Sequence, residues 1–353
     1  MPFYYNIDNT KDSGKRTAAK LIDLRDQLNA EVPSRTVTDT LLLATWNIRE
    51  FDSPAYGERT EESLYYIAEI ISRFDLVAVQ EVREDLCALN RVCRILGDYW
   101  KYIVTDVTEG SAGNKERIAF LYDSRVIIFG GLAGEIVIPP VKKSKKVYEP
   151  AKQLARTPFI CGFQAGWFRF MLCTVHMLYG ESTADDPERV NEIKMLSKFL
   201  SARAKQDSAW SNNLILLGDF NIFSPEDITF RAITDEGFII PSELQKLPSN
   251  APKNKHYDQI AFMVNEKEYR LKKSGVFDFY RSVFKEDEEE MYIPEMGSAY
   301  SETSSGKSRN ATSKKTYYKT YWRTHQMSDH LLMWVELDVD FGKDYLKRKL
   351  LVV

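Results

Sequence analysis

The sequence predicts an α/β protein made of two packed mixed β-sheets flanked by helices. Three observations point there. Short apolar runs of strand length recur along the chain. Helices with a 3.6-residue apolar period lie between only some of them. Hydrophobic residues make up 44% of the 353, enough for a sizeable core.

Taken in order, residues 1–36 read as a polar leader with one amphipathic helix, since Ala18, Leu21, Ile22, Leu24 and Leu28 recur at helical spacing among charges. Strands are expected at 41–46, 76–79, 100–104, 117–122, 159–164, 168–174, 214–217, 259–264 and 331–337. A helix over 59–73 would bury Leu64, Ile67, Ala68 and Ile71. Another over 185–204 starts where Pro187 fits, because a first-turn N–H has no intrahelical acceptor to lose. The organisation is one catalytic domain over 37–340, followed by a tail, 341–353. Two stretches read as insertions, near 139–152 and 284–326. The first holds Lys142, Lys143, Lys145 and Lys146. The second opens acidic at 286–290, turns rich in Ser and Thr, and ends basic and aromatic.

A formal charge of −3 excludes a basic nucleic-acid coat, so any polyanion must meet a local patch. The 4 Cys form no CxxC pair and fall in apolar surroundings, which suits buried thiols in a reducing compartment. No secretory pattern and no run of membrane-spanning length is visible, so a soluble cytoplasmic protein with no membrane partner is expected. No protein partner is indicated.

Seven motifs share one form, an apolar run meeting a polar or proton-transferring residue. They are TWNIREF (Asn47, Arg49), VQEVRED (Glu81, Arg83), NKERIAF (Glu116), TVHML (His176), GDFN (Asp219, Asn221), HYDQIAF (Asp258) and SDH (Asp329, His330). In GDFN the two polar side chains are two apart, so in an extended segment they point the same way. Hydrolysis of a phosphodiester needs charge neutralisation on an oxygen, an activated water and a proton for the leaving oxygen. Mg²⁺ suits the first two and takes oxygen ligands; Mn²⁺ or Ca²⁺ would fit the same donors. Glu81 leads the ligand candidates, with Asn47 and Asp329 or Asp219 beside it if the strand ends converge. A His becomes an effective acid or base when a carboxylate fixes its tautomer. Two pairs can form, His176 with Glu116 and His330 with Asp258. Arg156, just before a strand, is a further phosphate contact. Each motif alone has a plain reading as a turn, a helix-start charge, a core histidine or a surface ion pair. Seven at strand ends together point to a site.

This ordered set resembles the endonuclease/exonuclease/phosphatase superfamily, and within it the deoxyribonuclease I-like branch. The resemblance runs from Leu41 to Leu337 and implies a four-layered α/β sandwich with a divalent-metal site. By that likeness Asn47, Glu81 and Asp329 hold metal, and Glu116 and Asp258 orient His176 and His330. Asp219 and Asn221 position the water and the scissile phosphate, while Arg49, Arg83 and Arg156 contact nucleic acid. The departures are Asn114 where that branch has Tyr, the absent disulfide pattern, and the 284–326 insertion. Tyr257-Asp258-Gln259 differs from the Cys-Asp-Arg of the inositide phosphatases.

Between 303 and 328 no acidic residue occurs, and Lys314, Lys315, Lys319 and Arg323 interleave with Tyr317, Tyr318, Tyr321 and Trp322. Cations meet phosphates and rings stack on bases, so Lys314, Lys315, Tyr318 and Arg323 are expected to line one wall of a nucleic-acid groove. The alternative is a disordered loop with a tethered strand. The 286–290 run could occupy that groove as an internal mimic of DNA. The expected function is a Mg²⁺-dependent DNA endonuclease of low sequence specificity, with double-stranded DNA ahead of single-stranded. The alternatives are a phosphatase or phosphodiesterase on a lipid or small phosphorylated molecule, and a non-catalytic binding module.

Overall fold

The computed structural model describes residues 2–51, 53, 58–109, 114–144, 147–265 and 267–350. One mixed sheet has the spatial order β12 (Leu271–Phe277), β13 (Leu332–Asp338), β1 (Thr40–Phe51), β2 (Leu76–Val82), β4 (Arg117–Asp123), β3 (Trp100–Val104). The other runs β11 (Asp258–Met263), β10 (Leu214–Asp219), β9 (Phe168–His176), β8 (Phe159–Ala165), β5 (Ile127–Glu135). Strands β1 and β2 are parallel, as are β9 and β10, and their other neighbours run antiparallel. A small hairpin, β6 (Val141–Lys142) with β7 (Tyr148–Glu149), occupies the 139–152 segment. Lys145 and Lys146 lie outside the described residues.

The pleat of β1 explains the layering. Leu41 and Leu43 point into the space between the sheets, with Leu76, Phe120, Phe163, Phe170 and Leu217. Leu42, Ala44, Trp46 and Ile48 point the other way, under helices. A strand covered on both faces reads as a continuous apolar run, and this one does. Helices α1 (Asp12–Glu31), α2 (Glu61–Ile71) and α3 (Cys87–Leu96) cover the first sheet. Helices α4 (Pro187–Ala204) and α5 (Ile228–Thr234) cover the second. The result is helix, sheet, sheet, helix: the four-layered sandwich. Asp186 caps α4 by accepting from the N–H groups of Glu188 and Arg189, and Pro187 follows it. Among the described residues no helix is long and apolar enough to cross a membrane.

Several expectations change. Strands β1 and β2 run on through NIREF and QEV, so those motifs sit inside strand ends. Strands β5 and β12 escape the pattern because Gly and Lys dilute their apolar residues. The leader helix is structural: Leu21, Leu24 and Leu28 are buried in one cluster with Trp46, each contributing about 1.5–3 kcal/mol. The 284–326 insertion is neither a loose loop nor a strand. It forms helical turns at Ile293–Met296, Ser298–Ser301 and Ala311–Thr316, a π-helix at Tyr317–Trp322, and a last turn at Arg323–Gln326. Its order comes from rings, since Phe284, Tyr292, Tyr318 and Trp322 pack on one another. Arg16 on α1 pairs with Glu62 and Glu295 and lies 4.6 Å from the Tyr292 ring centroid, tying leader to insertion. Of the thiols, Cys161 and Cys173 are buried, Cys93 is half-buried, and Cys87 is exposed.

Candidate active site

Strand register assembles the centre. His176, Asp219 and Asp258 are direct neighbours across β9, β10 and β11. Only Gly fits before Asp219: Gly218 has φ +132°, and a Cβ there would lie 2.2 Å from the Val175 carbonyl oxygen. On the other sheet Asn47 is paired with Gln80, and Glu81 follows. His330 enters just before β13, the antiparallel partner of β1, so it reaches the same edge.

Asp219 is the hub. Its Oδ2 accepts from Asn47 Nδ2 at 3.0 Å and lies 3.5 Å from His176 Nε2 and 3.6 Å from His330 Nε2. Its Oδ1 accepts from the Asn221 N–H at 2.9 Å. Behind each imidazole stands a carboxylate: His176 Nδ1 is 2.8 Å from Glu116 Oε2, and His330 Nδ1 is 2.9 Å from Asp258 Oδ2. Asn221 Nδ2 donates to the Met177 carbonyl at 2.9 Å, bracing the GDFN turn. Glu50, Glu81 and Asn221 all hold left-handed backbone, with φ of 51°, 60° and 54°. Such residues cost about 1–3 kcal/mol each and gather where side chains must be aimed.

The charges oppose burial. Burial and the nearby Arg156 disfavour the His176 imidazolium, yet Glu116 and Asp219 outweigh them and raise its pKa. Burial also opposes His330, but Asp258 and Asp219 hold its pKa well above the ordinary imidazole value. Against its own burial, Glu116 is held down to about 2 by His176 and Arg156. Burial pushes Glu81 up to about 7, and Glu116 and Asp329 add to that.

That last feature bears on metal binding. Asn47 Nδ2 donates to Glu81 Oε1 at 2.9 Å as well as to Asp219, which leaves the buried Asn47 Oδ1 without a hydrogen-bond partner. An orphaned amide oxygen beside a carboxylate that resists ionisation fits a hard divalent cation. Asp219, Asp258 and His330 also bring one ligand atom each within 4.8 Å of one another.

The arginines expected on nucleic acid are engaged internally. Arg156 is buried, its Nε 2.9 Å from Glu116 Oε2. Arg83 pairs with Glu50 and donates to the Asn114 carbonyl. Arg49 donates to Thr324 Oγ1 at 2.5 Å and to the Thr320 carbonyl at 3.3 Å. In the insertion, Tyr318 is fully buried against Tyr292 and Trp322, so its ring is not open to a base. Arg323 is buried 4.4 Å from the Tyr280 ring centroid. Lys314 lies over the Tyr300 ring at 5.1 Å, and Lys315 is exposed. Within the acidic run, Glu288 serves Lys20, Glu289 serves the Tyr300 hydroxyl, and Glu286 meets the basic face.

Sequence reasoning passed over Ser328. Its Oγ donates to the Asn47 carbonyl at 2.6 Å and accepts from the N–H groups of Arg49 at 3.2 Å and His330 at 3.0 Å. It joins both metal-side and proton-side segments, and its place at the head of SDH was the available signal. Tyr257, whose ring lies tilted against His330 at 5.3 Å and 32°, was also passed over.

This sandwich is the fold of the endonuclease/exonuclease/phosphatase proteins. A protein of that family from Bacteroides thetaiotaomicron superposes with a TM-score of 0.52 and 16% identity, over 86% of this chain and 97% of its own. In sequence the chain resembles the deoxyribonuclease I-like branch. It is 29% identical to a deoxyribonuclease of Thioalkalivibrio sp. (strain K90mix) over 196 residues, 54% of this chain and 48% of that protein. It is 28% identical to deoxyribonuclease-1 of Rattus norvegicus over 190 residues, 52% of this chain and 60% of that one. The matches thus span about half the length of the first relative and three-fifths of the second. No family model matches the chain.

Proposed function

We propose that this chain is a divalent-cation-dependent phosphodiester hydrolase that cuts DNA internally with little sequence preference. The observation that carries the reading is the shared hub: two carboxylate-backed imidazoles, His176 and His330, turn their Nε2 atoms to one Asp219 oxygen. A phosphodiester hydrolysis needs one group to take a proton from water and another to give one to the leaving oxygen. Two oriented imidazoles supply both, each at about 10²–10⁴ in rate. Glu116 and Asp258 fix which ring nitrogen faces the reaction. Asn47, Glu81 and Asp329 are the residues that would hold the cation, which when bound supplies charge neutralisation at the phosphate and a more acidic water. The resemblance to proteins named deoxyribonucleases supports DNA as the substrate.

The test is plasmid nicking with Mg²⁺ and with EDTA, for the wild type and His176→Ala. Nicking that needs Mg²⁺ and falls at least about 10²-fold in the variant is expected. A folded wild type that leaves plasmid intact but hydrolyses small phosphate esters would reject the DNA reading.

A further inference from the structure

A second concave region opens off the catalytic edge. It is a cavity of about 700 Å³ between the 250–253 turn and the 319–324 face of the insertion, with Tyr257 and Asp329 at one end. That size lies within the ~300–1,000 Å³ of ordinary ligand sites. Its polar lining is dominated by ion pairs. Lys253 Nζ is 2.5 Å from Asp278, and Lys319 Nζ is 2.7 Å from Glu286. Arg323 reaches the same Glu286 oxygen at 3.5 Å. One carboxylate therefore sits against two cations. Lys319 and Glu286 are both roughly half exposed, and an ion pair so exposed holds weakly, at about 0–1 kcal/mol, whereas the half-exposed Lys253 pairs with a mostly buried Asp278.

Both walls are fixed to the catalytic residues. On the turn side, the Ala251 N–H donates to the Asp329 carbonyl at 2.7 Å, and Asn250 bridges His330. The insertion is held by Arg49 through Thr320 and Thr324, and by the Tyr280 hydroxyl, which lies 3.2 Å from the Arg323 carbonyl and 2.7 Å from the Ser328 carbonyl. The lysines thus stand at a set offset from His330 and Asp329.

We propose that this cavity is an anion subsite for a phosphodiester flanking the scissile one, contacted by Lys253 and Lys319, with Glu286 as the internal carboxylate that the strand displaces. The inference rests on the nuclease reading of the site and adds how that site grips its strand. A plain structural role for the same ion pairs makes a different prediction, so the two can be separated.

The experiment compares two substrates on the full chain with Mg²⁺. One is a 12-nucleotide DNA duplex. The other is bis(4-nitrophenyl) phosphate, which has no flanking phosphate. Lys319→Met and Lys253→Met should each lower the ratio of kcat/KM on DNA to that on the small diester about tenfold, mostly through KM. Each should flatten the salt dependence on DNA by about 0.9 in logarithmic slope. Lys319→Arg should restore most of the ratio, and Glu286→Gln should raise it. Lysine variants with unchanged ratio and slope would overturn the subsite alone, as would equal losses on both substrates. A wild type active on the small diester but inert on DNA would overturn the nuclease reading and the subsite with it.

Discussion

His176 and His330 reach Asp219 from different sheets, and their geometry is almost the same. Each is backed by a carboxylate at 2.8 or 2.9 Å, and each presents Nε2 to Asp219 at 3.5 or 3.6 Å. Their charge settings differ. Arg156 stands behind the His176 pair, 2.9 Å from Glu116, and works against the imidazolium. No such cation stands among the main influences on His330; burial opposes its charge, and Asp258, Asp219 and Asp329 support it. Twin geometry with unequal charge suits the hydrolysis proposed above, because its two proton transfers run in opposite directions. The difference shows that position is set by strand register, while proton affinity is set one residue further back.

The largest effect should come from breaking what the pairs share. Asp219→Asn keeps the shape but removes the charge facing both imidazoles. A loss of about 10⁴-fold in kcat is expected, the upper end for a single acid–base group. Retention within tenfold would mean that the two pairs act without their hub. Next come the pairs taken singly: His176→Ala and His330→Ala should each cost about 10²–10⁴ in kcat, and the double variant should lose little more than the worse single one. Additive losses in kcat would show two independent roles.

Arg156→Met tests the asymmetry directly. Arg156 lowers the His176 pKa, so removing it lets that imidazole hold its proton to higher pH. NMR titration should show the His176 midpoint moving up while His330 stays put. In the wild type, His330 should keep its proton to higher pH than His176. Equal movement of both midpoints would mean that the two pairs are a single titrating unit.

These tests also mark how far the sequence could be read. GDFN, QEV and SDH were legible because a polar Asp, Glu or His at the end or start of a buried strand is a local pattern; parallel register gathers the ends of β1, β2, β9 and β10, and antiparallel β13 brings its start to the same edge. The hub role of Asp219 was not legible, since its partners come from residues as distant as Asn47 and His330. Nor was the fate of the insertion. Its Lys and Tyr residues have the composition of a nucleic-acid surface, but composition does not say which side of a helix a ring takes. Tyr318 and Trp322, four apart, share a helical face and turn inward onto Tyr292. Arg323 follows them into the core, while Lys319 is left at the cavity.

The smallest expected effect concerns Asn114, where the resemblance would place a Tyr. Its Nδ2 donates to Glu116 Oε1 at 3.1 Å, on the side of the carboxylate away from His176. Its φ of 54° is left-handed, so Gly is the substitution that removes the amide without straining the backbone. Asn114 helps hold the Glu116 pKa down, and losing it lets that pKa rise somewhat from about 2. The carboxylate still stays ionised at neutral pH, so the charge that His176 feels is nearly unchanged. Asn114→Gly should therefore leave kcat within about threefold and the His176 midpoint essentially in place. A loss approaching that of His176→Ala would show that Asn114 aims Glu116 as well as charging it. The His176 pair would then depend on Asn114 for its geometry as well as its charge.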